Sequence, residues 1–281
     1  MTVHLVTFAT EDMRRSRELC ARSALMKGGF GAIHASDEWH VRELRENYPG
    51  LFKGKGFGYW SWKPYLIDQL TGQGGFVRGV SEGDVVVYAD AGVEFTAPVS
   101  HVISRMDQDI FLFGNNWQHA HWCKRDVVEV VWPVRWNLVG NQPHYPYPVP
   151  NGAIAFNPYD GGVSWDMFGK QAQASVIFFR VSDYSRRFVK EWLDWCLFEG
   201  GRLIDDSPSR LPNHPEFREH RHDQAILTTM AYREGLRLHY WPSMYNDGAF
   251  VYEKLPEYAG DDYPVLFHHH RRRNVDWEKV A

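Results

Sequence analysis

Cysteine is scarce in this chain of 281 residues, and the three present, Cys20, Cys123 and Cys196, are odd in number. None stands in a Cys-x-x-Cys pair or at the Cys/His spacing of a zinc site. The sequence therefore predicts neither a disulfide framework nor a structural zinc site. A reducing cytoplasm suits such a chain best.

Long apolar runs are lacking as well. No stretch approaches the roughly 18 apolar residues of a membrane span, and residues 1–17 do not follow the charged, apolar and small-residue order of a signal peptide. The 31 basic and 35 acidic residues give a formal net charge of −4, so no general field attracts a polyanion or an acidic membrane. We expect a cytoplasmic protein without a membrane span and disfavour nucleic acid as a partner.

Aromatic residues, by contrast, are abundant, with 12 Trp, 14 Tyr and 17 Phe. Tyr and Trp combine an apolar face with a polar edge, which suits a cleft that holds sugar rings or nucleobases. A core and loops rich in large side chains would give the same composition. Composition alone favours this second interpretation.

Apolar runs and helical periods alternate along the chain. Residues 3–8 and 84–89 are typical of buried strands, and residues 109–113 and 174–181 predict further strands. Because strands and helices alternate, we predict one α/β domain over residues 1–281. Residues 133–165 lack a clear period and are interpreted as a surface excursion that shapes an acceptor cleft, and residues 242–281 as a C-terminal tail.

The segment Tyr88-Ala-Asp-Ala-Gly92 follows the second predicted strand. Asp90 therefore lies at the carboxyl end of a strand, where open α/β sheets bind ligands. The small residues after it would allow a phosphate-bound Mg²⁺ or Mn²⁺ to approach the backbone. A strand-end turn in which Asp90 caps local N–H groups explains the motif equally simply, and is favoured when the motif is taken alone.

Four other segments carry chemistry-bearing side chains. Residues 219–224 place His222, Asp223 and Gln224 at a helix N-terminus, which favours an anion, although Asp223 is equally explained as an N-cap. Residues 268–273 offer a metal ligand and cations for a diphosphate, or form a solvated basic tail. In residues 58–64 and 122–126, the basic side chains are either phosphate or sugar contacts or surface charges. No GxSxG motif, P-loop or GxGxxG after a strand is present.

Taken together in this order, several segments resemble bacterial glycosyltransferases of surface-polysaccharide loci and, more distantly, the GT-A nucleotide-diphospho-sugar transferases. These segments are residues 3–10, 58–65, 85–92, 122–126, 171–179 and 220–224. The resemblance implies a GT-A, Rossmann-like α/β fold with a mixed central sheet. It also implies a nucleoside diphosphate sugar as donor, with a divalent metal, Mn²⁺ or Mg²⁺, bridging the diphosphate.

The resemblance also implies roles for individual residues. Asp90 matches the first acid of the Asp-x-Asp metal motif of the family, whereas Gly92 stands where the second acid is expected. Either Glu94 or the tail histidines would supply the missing ligand, or the protein would bind no metal at all. Asp223 and Gln224 are similar to the Asp-Gln pair that lines the sugar in retaining relatives. His268 is similar to the carboxyl-terminal metal histidine.

We therefore predict a glycosyltransferase that moves a hexose or similar sugar from a nucleoside diphosphate donor to an acceptor hydroxyl, in surface glycan synthesis. Asp223, Gln224 and His222 are the predicted catalytic residues, and Asp90 and His268 the predicted metal ligands. In an inverting reaction, Asp223, His222 or Asp126 would be the general base. The predicted donor-binding residues are Thr7, Ala9, Thr10, Lys63, Tyr88, Asp90, Gly92, Trp122, Lys124, Asp126 and Arg271.

Two alternatives stay open at this point. One is a phage-type transferase that glycosylates modified DNA bases, which the net charge disfavours. The other is a catalytically silent carbohydrate-binding GT-A domain, which Gly92 favours.

Overall fold

The apolar runs of the sequence form the strands of the protein. The computed structural model describes residues 1–72, 79–132, 135–137, 142–144, 165, 168–245, 250–270, 272–274 and 276. The strands in these ranges are β1 (Val3–Phe8), β2 (Ala32–Ser36), β3 (Val85–Ala89), β4 (Val93–Phe95), β5 (Ile110–Gln118), β6 (Arg135–Asn137), β7 (Gln142–His144), β8 (Lys170–Arg180), β9 (Leu238–His239), β10 (Ser243–Tyr245), β11 (Phe250–Val251) and β12 (Phe267–His269).

Helices alternate with these strands over most of the chain. They are α1 (Arg14–Ser23), α2 (Arg42–Asn47), α3 (Gly56–Tyr59), α4 (Trp62–Thr71), α5 (Ser100–Ile103), α6 (Arg125–Val131), α7 (Asp183–Leu197) and α8 (His222–Arg233). The longest, α7, begins with a capping box in which Ser182 and Ser185 satisfy each other's backbone N–H groups. None of the helices in the described ranges is long and apolar enough to span a membrane.

Six strands form the central sheet in the order β2-β1-β3-β8-β5-β9. β1 runs parallel to β2 and β3, β8 is antiparallel to β3 and β5, and β9 is parallel to β5. The sheet is therefore mixed, which confirms the predicted α/β class with a mixed central sheet. All five residues of β3 are buried because both faces of the sheet are covered, which explains its uninterrupted apolar run.

A smaller sheet has the order β11-β10-β12-β4. Three of its strands come from residues 242–281, which the sequence presents as a tail. These strands are only two or three residues long, so no period marks them, and β12 finds its antiparallel partner β4 far back in the chain. The backbone N–H of His270 donates to the carbonyl of Gly92 at 3.0 Å, which holds this part of the chain beside the turn after β3.

Two apolar cores lie on opposite faces of the central sheet. One packs the sheet against α4, α6, α7 and α8, and the other packs it against α1 and the smaller sheet. Within the predicted excursion 133–165, the antiparallel pair β6 and β7 and residue 165 are described; its remaining residues lie outside the described ranges. The prediction of a single domain stays a prediction.

Candidate functional site

A cavity of about 640 Å³ opens at the carboxyl ends of β1 and β3. Because these strands are parallel neighbours, the loops that follow them meet at one edge of the sheet. The beginnings of α4 and α8 and the middle of β8 complete the walls. The described lining residues are 8–10, 12–13, 56–57, 60, 62–63, 90–92, 173, 175, 221–224, 269 and 273.

The ammonium group of Lys63 lies at the floor of the cavity between two carboxylates. Its Nζ is 3.2 Å from Oδ1 of Asp90 and 3.3 Å from Oδ2 of Asp223, and it donates to the carbonyl of Ala174 at 3.0 Å. Lys63 and Asp223 are buried, whereas the side chain of Asp90 is one-third exposed and faces the cavity. Lys63 therefore makes one hydrogen bond to the backbone and two ion pairs with carboxylates.

One ammonium facing two carboxylates leaves a net negative charge in a buried place. Burial raises the pKa of Asp223 to about 7; Lys63 opposes this rise and Asp90 adds to it. Burial by itself would lower the pKa of Lys63, but Asp223 and Asp90 together raise it, so Lys63 stays charged. Asp223 is thus the carboxyl group of this trio that exchanges a proton near neutral pH.

The first turn of α8 presents three of the predicted residues to the cavity. The side chain of Gln224 donates to Oε1 of Gln171 at 2.7 Å and accepts from the backbone N–H of Ala174 at 3.3 Å, which fixes its amide against β8. Nδ1 of His222 is 2.8 Å from the carbonyl of Ile204. Burial lowers the pKa of His222, so its ring is neutral at neutral pH.

The loop before α4 has an unusual backbone. Phe57, Tyr59 and Trp60 all have positive φ angles of 52°, 52° and 63°, and so does His222, with 50°. Such angles cost free energy in residues other than glycine and concentrate at functional sites. The ring of Trp60 stacks on that of His222 with centroids 5.3 Å apart, so the strained loop and α8 hold each other in place.

Most of the predicted residues meet in this cavity. Its lining contains the predicted set Ala9, Thr10, Lys63, Asp90, Gly92, His222, Asp223 and Gln224. Thr7 and Tyr88 lie beneath it, fully buried, and the hydroxyl of Tyr88 donates to Oδ1 of Asp90. Thr7 and Tyr88 therefore support the floor, and their role in donor binding stays a prediction.

Lys124 and Asp126 contact a different segment of the chain. Nζ of Lys124 is 3.1 Å from Oδ1 of Asp205 and donates to backbone carbonyls of the segment 202–207. Asp126 pairs with Arg202 at 2.9 Å and accepts from the backbone N–H groups of residues 210 and 211. Neither is among the described lining residues, and the predicted roles of both in the site stay predictions. Trp122 is not among the described lining residues either, and its ring stacks on that of Trp117.

The sequence points to His268 as a metal ligand, but the histidine of β12 that lines the cavity is His269. Successive residues of a strand point to opposite faces, so only one of the two faces the cavity, and it is His269. Nδ1 of His268 lies 3.6 Å from Oε2 of Glu94 on β4. His268, the predicted metal ligand, is not among the described lining residues, and that role stays a prediction. Arg271, predicted to bind the diphosphate, lies outside the described residues.

Among the described lining residues, no three His, Cys or carboxylate side chains have the spacing of a metal site. Gly92 supplies no second carboxylate, and Oδ1 of Asp90 is held by Tyr88 and Lys63. The other described lining residues with metal-ligating side chains are Asp12, His222, Asp223 and His269. Among the described residues, the group with metal-like spacing is His121, His214 and Glu216, and none of these lines the cavity. The requirement for Mn²⁺ or Mg²⁺ stays a prediction, and no step below depends on it.

Sequence reasoning missed several of the lining residues. Gln173 and Ser175 lie two residues apart on β8, so strand alternation would have found them once that strand was placed. Arg221 and Trp60 lie within segments that the sequence marks as unusual. Arg273, by contrast, belongs to the predicted cations of residues 268–273; it lines the cavity and pairs with Asp12 at 3.3 Å.

No family model and no curated protein matches the sequence. Among solved structures, the chain aligns with apo mouse xyloside xylosyltransferase 1 at a TM-score of 0.45 and 12% identity, over 96% of this chain and 98% of that chain. It aligns with the galactosyltransferase LgtC, solved with donor and acceptor sugar analogues, at a TM-score of 0.46 and 10% identity, over 96% of this chain and 87% of that chain. It aligns with WbbM, a bifunctional glycosyltransferase, at a TM-score of 0.47 and 12% identity, over 97% of this chain and 46% of that chain. Similarity at this level does not decide an activity, which has to be argued from the cavity.

Proposed function

We propose that the protein is a glycosyltransferase that moves a sugar from a nucleoside diphosphate donor to an acceptor hydroxyl. The buried ammonium of Lys63 between Asp90 and Asp223, at the floor of a cavity at the strand ends, is the observation that carries this proposal. Fixed charges at a desolvated floor orient sugar hydroxyls and stabilise charge that develops during transfer. The resemblance of the sequence to GT-A transferases supports the same assignment.

The donor is proposed to lie across the cavity with its nucleoside at the end of β1. Phe8, Ala9 and Thr10 form this wall. Arg273, which also lines the cavity, is placed to neutralise a diphosphate. The sugar then lies over Lys63 and Asp90, in the deepest part of the site.

The transfer breaks the bond between the anomeric carbon and the diphosphate oxygen and forms one to the acceptor oxygen. The bonding electrons leave with the nucleoside diphosphate, and the acceptor hydroxyl gives up its proton. Of the acids and bases in the lining, Asp223 has a pKa of about 7, the range in which a general base is effective. We assign Asp223 as the base that accepts this proton in an inverting reaction. In a retaining reaction, Asp223 would lie beside the anomeric carbon. Gln224 is proposed to position the sugar from its fixed amide.

A catalytically silent carbohydrate-binding domain is the second candidate. It is favoured by Gly92, because the turn after β3 carries one acid where the related enzymes carry two. Such a domain would bind a sugar without cleaving a donor. The proposed role in surface glycan synthesis belongs to the first candidate alone.

Thermal unfolding in the presence of a panel of nucleotide sugars tests the proposal. A donor at 100 times its dissociation constant stabilises the folded state by about 2.7 kcal/mol, which raises the melting temperature by several degrees. Each donor is measured with Mn²⁺ and with EDTA, which decides the metal question separately. Donor hydrolysis is followed in the same samples.

The variant Asp90→Asn should lose hydrolysis, whereas Asp107→Asn, which changes an exposed carboxylate outside the lining, should retain it. If no nucleotide sugar shifts the melting temperature of the wild-type chain, the transferase proposal fails. A shift with sugars but without hydrolysis of any donor would support the silent domain.

A further inference from the structure

Two tryptophans form a stacked pair next to the cavity. Trp117 is the second-last residue of β5, and Trp122 lies four residues after the end of that strand. Their ring centroids are 4.7 Å apart and their planes differ by 25°. Trp117 is 37% exposed and Trp122 is half-buried, so the pair offers an aromatic surface to solvent.

Arg221 joins this pair to the cavity. Its guanidinium carbon lies 4.8 Å from the ring centroid of Trp117 and 4.6 Å from that of Trp122, and its backbone N–H donates to the carbonyl of Trp122 at 3.0 Å. The same arginine lines the cavity, two residues before Asp223. The aromatic surface therefore borders the cavity at Arg221.

The charge around the pair favours a neutral, hydroxyl-rich ligand over a polyanion. Glu219 pairs with Arg221 at 2.8 Å and offsets its charge. Arg218, 5.7 Å from the ring of Trp122, adds N–H donors at the edge of the surface. Indole faces beside guanidinium donors suit a pyranose ring, which has apolar C–H faces and an equatorial rim of hydroxyls.

We propose that Trp117, Trp122 and Arg221 form a subsite for the acceptor, and that the acceptor is a saccharide of at least two rings. One ring stacks on the tryptophan pair, and the next reaches past Arg221 so that its hydroxyl meets Asp223. This inference rests on the proposed transferase function. It places donor and acceptor on different walls, because the nucleoside wall is formed by Phe8, Ala9 and Thr10 and the tryptophan pair lies on the side of α8.

Binding of a panel of disaccharides, comprising lactose, maltose, cellobiose and chitobiose, tests the subsite by saturation-transfer NMR. We expect the wild-type chain to bind at least one of them, and Trp117→Ala to weaken that binding by about tenfold, since one aromatic contact of good geometry is of this order. Trp117→Phe should retain most of the affinity. The thermal shift and the hydrolysis produced by the nucleotide sugar should be unchanged in both variants.

Trp39→Ala is the matched control, because Trp39 is 64% exposed and also carries an arginine, Arg42, 3.8 Å from its ring centroid, but does not line the cavity. It should bind the disaccharide like the wild type. Absence of disaccharide binding by the wild type, or equal binding by Trp117→Ala, would overturn the proposal. Loss of the nucleotide shift in Trp117→Ala would also overturn it, since the pair would then hold the base of the donor. If the wild type binds a disaccharide through Trp117 but no nucleotide sugar, the subsite stands and the transferase function fails.

Discussion

Lys63 controls the charge balance of the cavity at the scale of a single residue. It is buried, pairs with Asp90 and Asp223, and donates to the carbonyl of Ala174. Without its ammonium, the buried carboxylate of Asp223 would face that of Asp90 with no cation between them. Removing one partner of a buried ion pair is far more costly than losing a surface pair.

Lys63→Met should therefore lower the free energy of unfolding by about 3–5 kcal/mol, because it leaves buried charge uncompensated while keeping the apolar stem. Urea unfolding followed by circular dichroism measures this change. Lys53→Met, which alters an exposed lysine of the same segment, serves as control and should stay within about 0.5 kcal/mol of the wild type. Equal stability of the two variants would contradict the ion cluster.

The protonation of Asp223 gives a second prediction at this scale. Its pKa is raised from 3.8 to about 7 in the folded chain, so between these values the folded state holds a proton that the unfolded chain has released. Stability therefore decreases as the pH rises through this interval, by at most about 1.4 kcal/mol per pH unit, and the loss is complete above pH 7. Below pH 3.8 the carboxyl is protonated in both states, so Asp223 adds no pH dependence to the stability.

Asp223→Asn removes this titration, so the difference in unfolding free energy between wild type and variant should change with pH between about pH 4 and 7 and be constant outside that interval. Urea unfolding at half-unit pH steps provides the measurement. A constant difference across the whole range would show that Asp223 does not titrate in the folded chain near neutral pH.

At the scale of elements, local pattern predicted the long ones and missed the short ones. β1 and β3 are uninterrupted apolar runs, which mark buried strands without reference to the rest of the chain. β4 and β12 are three residues long and exist because they pair with each other across most of the chain. A local window contains no information on such pairing, so the strand that brings His269 to the cavity could not be predicted.

The backbone geometry of the segment before α4 is not visible in the sequence. Phe57 and Trp60 have left-handed φ angles, and the ring of Trp60 packs on His222 of α8, a contact that only the folded chain creates. The residues of the site were therefore predictable where they occupy strand ends or helix starts, as Asp90 and Asp223 do. They were not predictable where tertiary contacts decide which neighbour faces the cavity.

Gly54→Ala tests how this loop is held. An added Cβ would lie 2.1 Å from the ring of Tyr59, which in turn packs on His222 with ring centroids 5.0 Å apart. Because a rigid ring has to move, we expect a loss of about 1–3 kcal/mol in unfolding free energy and a smaller thermal shift with the nucleotide sugar.

Gly50→Ala is its matched control, since nothing lies within 4 Å of a Cβ there and φ is −64°. It should be neutral, or stabilising by up to about 1 kcal/mol through the unfolded state. If both alanine variants behave alike in unfolding and in the donor shift, the contact between Tyr59 and the loop has no influence on the site.

At the scale of the whole molecule, the central and the smaller sheet share the apolar core that also contains α1. Phe267 on β12 lies where the two sheets meet in this core. Its ring centroid is 5.7 Å from that of Phe95, 5.8 Å from that of Phe113 on the central sheet and 5.2 Å from that of Trp241. Its side chain is fully buried. The smaller sheet is thus anchored to the central one through aromatic contacts, so both should unfold together.

Phe267→Ala should therefore cost about 3–5 kcal/mol and lower the melting temperature in a single transition, because the cavity it leaves belongs to both sheets. Circular dichroism and tryptophan fluorescence should give coincident unfolding curves. Val251→Ala, on the exposed edge of the same small sheet, should change the stability by less than about 0.5 kcal/mol. Since Phe267 lies two residues before His269, the variant should also weaken the thermal shift with the nucleotide sugar at temperatures where it is still folded. Separate transitions for the two probes would instead show that the smaller sheet unfolds on its own, and the cavity would then be bounded by two units of different stability.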